Sequence, residues 1–360
     1  QGEKNLVLIY DPGLGSTARY LSLGNGSQSP AIATPKPPLP TQPTVKPTPT
    51  MFVGSRTEVT KFQITSTGVQ ENAPLIYQDL VVYRRHGAPD VDIFGYDLRT
   101  GAEFPLVQRP GNQSPSGLFG SYLVYTEDTK DPTDESDVRL LNYETGEDIL
   151  IAGGPGKQSG GGIYGDLVTY RTNVSGGFGD LYVYNIRTGE TEFIDSNADN
   201  PRIWGHNVVW TYRVGSGRYN IKGYNLEKRE FFEISSVNNG YQSMPDICGS
   251  YVVWRDGRDG KSAIYETDLI TGRETLVYEV PTPGELGWPV ISNRYIAWVY
   301  GRGVGAHDIL VQNRITREIV EVSNDGPQQP SPTVPDIWED TVVWMSWHTG
   351  NGDIYGVTLK

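Results

Sequence analysis

Apolar residues along this chain come in short bursts rather than in helical stripes. Two or three of them follow a small or polar turn and run into an aromatic residue. The bursts read Leu80-Val81-Val82-Tyr83, Tyr122-Leu123-Val124-Tyr125, Leu167-Val168-Thr169-Tyr170, Asn207-Val208-Val209-Trp210, Tyr251-Val252-Val253-Trp254, Tyr295-Ile296-Ala297-Trp298 and Thr341-Val342-Val343-Trp344. Their spacing of about 40 to 46 residues is the period of four-stranded propeller blades. A run such as Val252-Val253-Trp254 does not alternate, which marks a strand buried on both faces, as between neighbouring blades. The terminal aromatics are read as packing between blades, because their positions repeat with the fold.

A second motif follows each burst. It runs Asp92-Ile93-Phe94-Gly95-Tyr96-Asp97-Leu98 and on to Thr100-Gly101, with partners starting at Asp137, Asp180, Asn220, Ala263, Asp308 and Asp353. Thr-Gly recurs at Thr145-Gly146, Thr188-Gly189 and Thr271-Gly272. This is a strand, a hairpin turn in which glycine supplies positive φ, and a returning strand. The fourth repeat has Glu227-Lys228-Arg229 at the turn and the sixth has Thr316-Arg317, so these two turns are expected to differ in geometry. The chain is therefore predicted to be all-β, a seven-bladed β-propeller over residues 57–360.

The seventh repeat supplies only three strands, the last from Asp353 to Leu359. Residues Lys61-Phe62-Gln63-Ile64-Thr65 offer the fourth. They are followed by Gln70 and Pro74, as Glu103-Phe104-Pro105-Leu106-Val107 is followed by Gln113 and Pro115. Residues 57–72 are thus expected to give the last blade its outer strand. Phe62 and Ile64 would meet Ile354, Tyr355 and Val357 and close the ring.

Residues 31–56 are a Pro/Thr-rich spacer of extended, polyproline-II type, whose Thr34, Thr41, Thr44 and Thr48 are candidates for O-glycosylation. Its proline-rich part could span roughly 60 Å at about 3.1 Å per residue. Residues 1–30 precede it as a hairpin arm. Asn5 to Asp11 resembles the outer-half motif of a blade, and Arg19 to Leu23 its returning strand. An isolated hairpin is barely stable in water, so it must lie against something. Leu6, Val7, Leu8, Ile9, Tyr10, Tyr20, Leu21 and Leu23 are the expected assembly interface. The arm packs either on its own ring or, by β-augmentation, on a second copy of the chain, which gives a homo-oligomer or a filament.

Composition narrows the partners. With 43 glycines, 25 prolines and 22 tyrosines the chain suits short strands and tight turns. A formal charge of −13 repels phosphate backbones and argues against nucleic acid. No apolar run approaches the roughly 20 residues of a membrane span, so no membrane insertion is expected. The start at Gln1 is read as a mature terminus left by signal cleavage, pointing to an extracellular, cell-surface or periplasmic location.

Candidate chemistry is sparse. The four histidines, His86, His206, His307 and His348, show no metal-ligand spacing, and there is no GxSxG elbow or P-loop. The single cysteine, Cys248, sits at a blade position and reads as a buried thiol. The insertion from Asp128 to Asp137 could offer carboxylates to calcium but lacks the spacing of a calcium loop. Arg255 to Gly260 reads as a hairpin turn. Asn25, Asn112 and Asn173 match the N-glycosylation sequon.

The recurring Gly-x-x-Val-Val-Trp and Asp-Ile-Tyr-x-x-Asp-Leu-x-Thr-Gly pattern, clearest at Gly249 to Gly272 and Gly165 to Gly189, resembles the TolB-like propeller repeats of bacterial periplasmic and extracellular proteins. The resemblance covers about residues 57–360 and implies a fold, not an activity. Its members include protein-binding scaffolds, domains attached to peptidases and some polysaccharide lyases. The histidine-and-metal site of those lyases finds no matching cluster, so no catalytic residue is carried over. The expectation is a non-enzymatic structural or interaction protein, without a cofactor, that self-assembles through its arm. The alternatives are an adaptor that binds a protein or glycan, and a polysaccharide-active enzyme working at the mouth of the ring.

Overall fold

The computed structural model describes residues 57–360 apart from 88, 132, 216, 236–239, 281–283, 302–306, 324–333 and 348–349. The arm, the spacer, their interface residues and threonines, and Asn25 lie outside the described residues. Among those described, strands dominate, and the one short helix is a 3-10 turn at Arg258–Gly260.

Short apolar bursts joined by two-residue turns fold into consecutive antiparallel meanders. After β1 (Val59–Gln63) come β2 (Glu71–Tyr77), β3 (Leu80–His86), β4 (Val91–Asp97) and β5 (Ala102–Val107), one four-stranded sheet. Next are β6 (Gln113–Phe119), β7 (Tyr122–Asp131), β8 (Asp134–Asn142) and β9 (Glu147–Ala152), with the short β10 (Gly156–Lys157) parallel to β8. Then β11 (Ser159–Tyr164), β12 (Leu167–Ser175), β13 (Phe178–Asn185), β14 (Thr191–Trp204), β15 (Asn207–Gly215), β16 (Arg218–Asn225) and β17 (Glu230–Ser235) form one continuous sheet. The long β14 serves two repeats. Its first half, Thr191 to Ala198, pairs with β13, and its second, Ala198 to Trp204, pairs with β15.

Two four-stranded sheets follow. One holds β18 (Gln242–Cys248), β19 (Tyr251–Asp256), β20 (Ser262–Asp268) and β21 (Arg273–Val280). The other holds β22 (Glu285–Ile291), β23 (Tyr295–Gly301), β24 (His307–Asn313) and β25 (Ile319–Glu321). The last sheet joins β26 (Asp336–Trp338), β27 (Thr341–Ser346) and β28 (Asp353–Leu359) to β1, which lies antiparallel to β28 with Val59 opposite Leu359 and Gln63 opposite Tyr355. Phe62 stands opposite Gly356, where a Cβ would come within 2.6 Å of its ring. Phe104 covers Gly95 and Phe232 covers Gly223 in the same way, so β1 sits on β28 as β5 sits on β4. Ile64 continues past β1, donating its N–H to the Ile354 carbonyl at 2.8 Å.

The burst aromatics Tyr83, Tyr125, Trp210, Trp254, Trp298 and Trp344 are all fully buried. The turns between third and fourth strands depart from expectation. Arg229 (φ 56°) and Arg317 (φ 63°) take the left-handed conformation of Gly101 (φ 69°) and Gly189 (φ 71°). Each also makes the same backbone bond, Arg229 N to Asn225 O and Arg317 N to Asn313 O, both 2.8 Å, matching Gly101 N to Asp97 O. The geometry is common because the first turn residue fixes it. Asp97, Asn142, Asn185 and Asn313 each accept from two backbone N–H groups further along the turn, so an Asx cap holds the hairpin and a non-glycine is forced into positive φ.

The first strand of each of the first six repeats carries a bulge. Register shifts fall between Asn72 and Leu75, Pro115 and Gly117, Gly160 and Ile163, Asp199 and Arg202, Ser243 and Asp246, and Gly287 and Val290. At four of them the residue before a proline has positive φ: Ala73 (51°), Asn200 (48°), Met244 (57°) and Trp288 (44°). Bulges tolerate proline and re-aim side chains.

Candidate functional site

Two of these bulges open onto a cleft of about 260 Å³ lined by Phe178, Asp199, Asn200, Thr211, Tyr219, Tyr241, Ser243 and Met244. The residues come from three successive repeats. Phe178 begins β13 just after a Gly-Gly turn, and Tyr219 sits near the start of β16. Phe178 and Tyr219 stack nearly parallel, with centroids 5.3 Å apart and planes 14° apart. The Arg213 guanidinium lies 3.9 Å from the Phe178 centroid and donates to the Gly176 carbonyl at 3.3 Å. From the third repeat, Tyr241 accepts a hydrogen bond at its hydroxyl from Arg255, 2.6 Å away.

Asp199 is held from several sides. One carboxylate oxygen accepts from Arg171 at 2.6 Å and from the Asn200 N–H at 2.9 Å, and the other accepts from the Asn200 amide at 3.0 Å. Arg171 is nearly buried and also donates to the carbonyls of Gly177 and Ala198. Burial lowers the pKa of its guanidinium, and the Asp199 charge opposes that effect. The pair is thus neutralised internally. Arg213 and Arg255 are not: among the described residues neither pairs with a carboxylate, so they leave positive charge beside the cleft. Chemically the cleft offers phenol rings to stack on, two cationic groups suited to a carboxylate, and phenolic and amide groups for hydroxyls.

The opposite ends of the same first strands look different. Trp338, Tyr77, Phe119, Tyr164 and Trp204 touch in sequence, with centroids 4.3, 4.9, 4.8 and 4.7 Å apart and tilts of 54°, 51°, 41° and 42°. Angles of this size mean that the rings lean on one another obliquely, neither stacked nor edge-on. Nearby, Asp336 accepts from the Ile76 N–H at 2.7 Å and Asp246 from the Ile291 N–H at 2.9 Å, each linking its strand to the next repeat. Arg202 lies 3.7 Å from Asp246. Burial, with the neighbouring Asp246 charge adding to it, pushes the Asp336 carboxyl up to about 7, and burial raises that of Asp246 too.

The residues singled out from the sequence scatter over the fold. Phe62, Ile64, Ile354, Tyr355 and Val357 lie together at the pairing of β1 with β28. Asn112 is exposed, but its amide oxygen accepts from the Val91 N–H at 3.1 Å. Asn173 is exposed in a left-handed conformation and donates to Asp180. Cys248 is buried, and burial pushes its thiol up to about 12. The insertion after Asp128 lines a second cleft, of about 480 Å³, with Asn112 and Lys157, and Asp131 turns its carboxylate onto Thr133. Among the described residues no three His, Cys, Asp or Glu side chains gather as a metal site, so the calcium reading finds no ligand set there. Sequence reasoning missed Phe178, Tyr219 and Tyr241. Their signal is an aromatic at or beside the hairpin joining second and third strands, or just ahead of a first strand.

The sequence matches no family model and no curated protein. Solved structures share its fold, which places the chain among all-β propellers. It resembles the β-propeller domain of the Trilobed protease from Pyrococcus furiosus, with TM-score 0.62 and 12% identity over 81% of this chain and 94% of that one. It also resembles an oligogalacturonate lyase from Vibrio parahaemolyticus, with TM-score 0.60 and 13% identity over 84% and 97% of the two chains. A prolyl endopeptidase gives TM-score 0.59 and 9% identity over 81% of this chain and 50% of that one. The TolB-like resemblance stands as a likeness of fold, not of family.

These likenesses overturn the expectation of a purely non-enzymatic structural protein. These three propellers that the chain superposes on are an enzyme and parts of enzymes. The inference from missing motifs fails for a physical reason. A propeller gathers a site from loops of several blades, as here from residues 171 to 255, so no compact sequence motif need mark it.

Proposed function

We propose that this protein is a carbohydrate-directed propeller that holds an acidic oligosaccharide in the cleft of Phe178, Tyr219 and Tyr241. The observation that carries the reading is a cleft lined by the aromatic rings of Phe178, Tyr219 and Tyr241, beside which Arg213 rests on Phe178 and Arg255 bonds to Tyr241, neither arginine with a carboxylate partner among the described residues. Pyranose rings present apolar C–H faces that pack on aromatics, and uronic acids add a carboxylate that a guanidinium binds well. The overall charge of −13 opposes a polyanion at long range, but salt screens that field beyond about 10 Å and leaves the local arginines in control. The likeness to an oligogalacturonate lyase supports the same class of ligand and makes β-elimination the first reaction to assay.

The scaffold of this reading is a ring of seven blades closed by β1. Two observations support it. Trp338 touches Tyr77 and Asp336 bonds to Ile76, both joining the last sheet to the first.

Calorimetric titration with an oligogalacturonide and with a neutral oligosaccharide of equal length tests the ligand. Saturable binding of the acidic chain is expected, weakened at least about tenfold in Tyr241→Ala and in Arg213→Ala. Equal binding of the neutral chain would remove the role of the arginines. No binding of either would remove the carbohydrate reading.

A further inference from the structure

The bulge position of the first strands runs from one repeat to the next. On β14 it is Asn200 and on β18 it is Met244, and both line the cleft. Each stands before a proline, Pro201 and Pro245. The same position on β22 is Trp288, before Pro289. Strand β18 packs against β14 on one side and β22 on the other. The series Asn200, Met244, Trp288 therefore carries the edge of the cleft one strand further.

Trp288 is unlike the other repeat tryptophans. Trp210, Trp254, Trp298 and Trp344 are fully buried, whereas Trp288 keeps 41% of its surface exposed. Among the described residues it stacks on no other ring and makes no hydrogen bond. Its φ of 44° lies in the left-handed region, which a bulky side chain seldom enters. Burial offsets little of that strain at so exposed a site, and strain held without such compensation points to use. Its sister Ala73 holds the same conformation without a large side chain, so the bulge itself does not call for an indole.

We propose that Trp288 is a second stacking platform, a sugar subsite one blade beyond the cleft, so that the site takes an oligosaccharide spanning several rings rather than a single sugar. This rests on the carbohydrate reading of the cleft and extends it. An indole offers the broadest stacking face among the side chains, and a ring so exposed meets the apolar face of a pyranose without displacing protein contacts.

The test is a titration of wild type, Trp288→Ala and Trp288→Phe with galacturonate oligomers from dimer to hexamer. In the wild type, affinity is expected to rise about tenfold or more with length. In Trp288→Ala the dimer should bind as in wild type while the gain from length disappears, and Trp288→Phe should restore most of it. If Trp288→Ala follows the wild-type length series, or loses the dimer as well, the subsite is refuted. If the wild type binds no oligomer, the carbohydrate reading itself fails, and that outcome is seen before any variant is compared.

Discussion

Single residues here were legible where chemistry is local. The turn glycines announce positive φ, and the buried burst aromatics announce packing. Arg229 and Arg317 misled because the Asx cap that dictates the turn belongs to Asn225 and Asn313, four residues earlier, and not to the residue at the glycine position. Asp336 was silent in sequence. Its environment exists only when the first and last repeats meet, since the Ile76 N–H from which it accepts belongs to the other end of the propeller. It also carries a consequence for stability. With a folded-state value of about 7 against an ordinary 3.8, the native protein binds this proton more tightly than the unfolded chain. Its contribution is full at low pH and is lost as pH rises between about 4 and 7. Asp336→Asn keeps an oxygen to accept from Ile76 and cannot ionise. The variant should match wild type in thermal midpoint near about pH 3 and exceed it near about pH 8. An equal loss at both pH values would show that the carboxylate stabilises the native state.

At the scale of elements, the periodicity of bursts located nearly every strand, because a buried strand must be apolar wherever it stands. The Gln and Pro spacing placed β1 beside β28 from sequence, and Phe62 over Gly356 gives the pairing its fit. The sharing of β14 between two repeats was not readable, since the turn formers from Asp195 to Pro201 read as a loop between strands although the backbone ladder runs through them. Strand β1 is also tied at its start, where the Thr57 N–H and hydroxyl both donate to Glu318, at 2.9 and 2.7 Å. Removing residues 57–68 would uncover the edge of β28 and the buried Ile64 environment. We expect a loss of about 4 kcal/mol or more in urea unfolding. A truncated protein with near-native stability would mean that the ring does not depend on β1.

On the scale of the whole molecule, the sequence declared a propeller and left its site hidden. A repeat describes what every blade has in common, whereas a site is built from what one blade has and its neighbours lack. Phe178, Tyr219, Tyr241 and Trp288 each break the repeat, and only the fold brings the first three to one cleft. Charge behaves alike: a net −13 conceals two arginines beside the cleft, against Phe178 and Tyr241, without carboxylate partners among the described residues. The most direct measurement is a crystal structure of the protein soaked with a galacturonate tetramer. Density for sugar rings should lie on Tyr219 and Tyr241, with a carboxylate against Arg213 or Arg255 and the chain pointing toward Trp288. A cleft left empty beside ordered sugar elsewhere on the propeller would contradict the assignment.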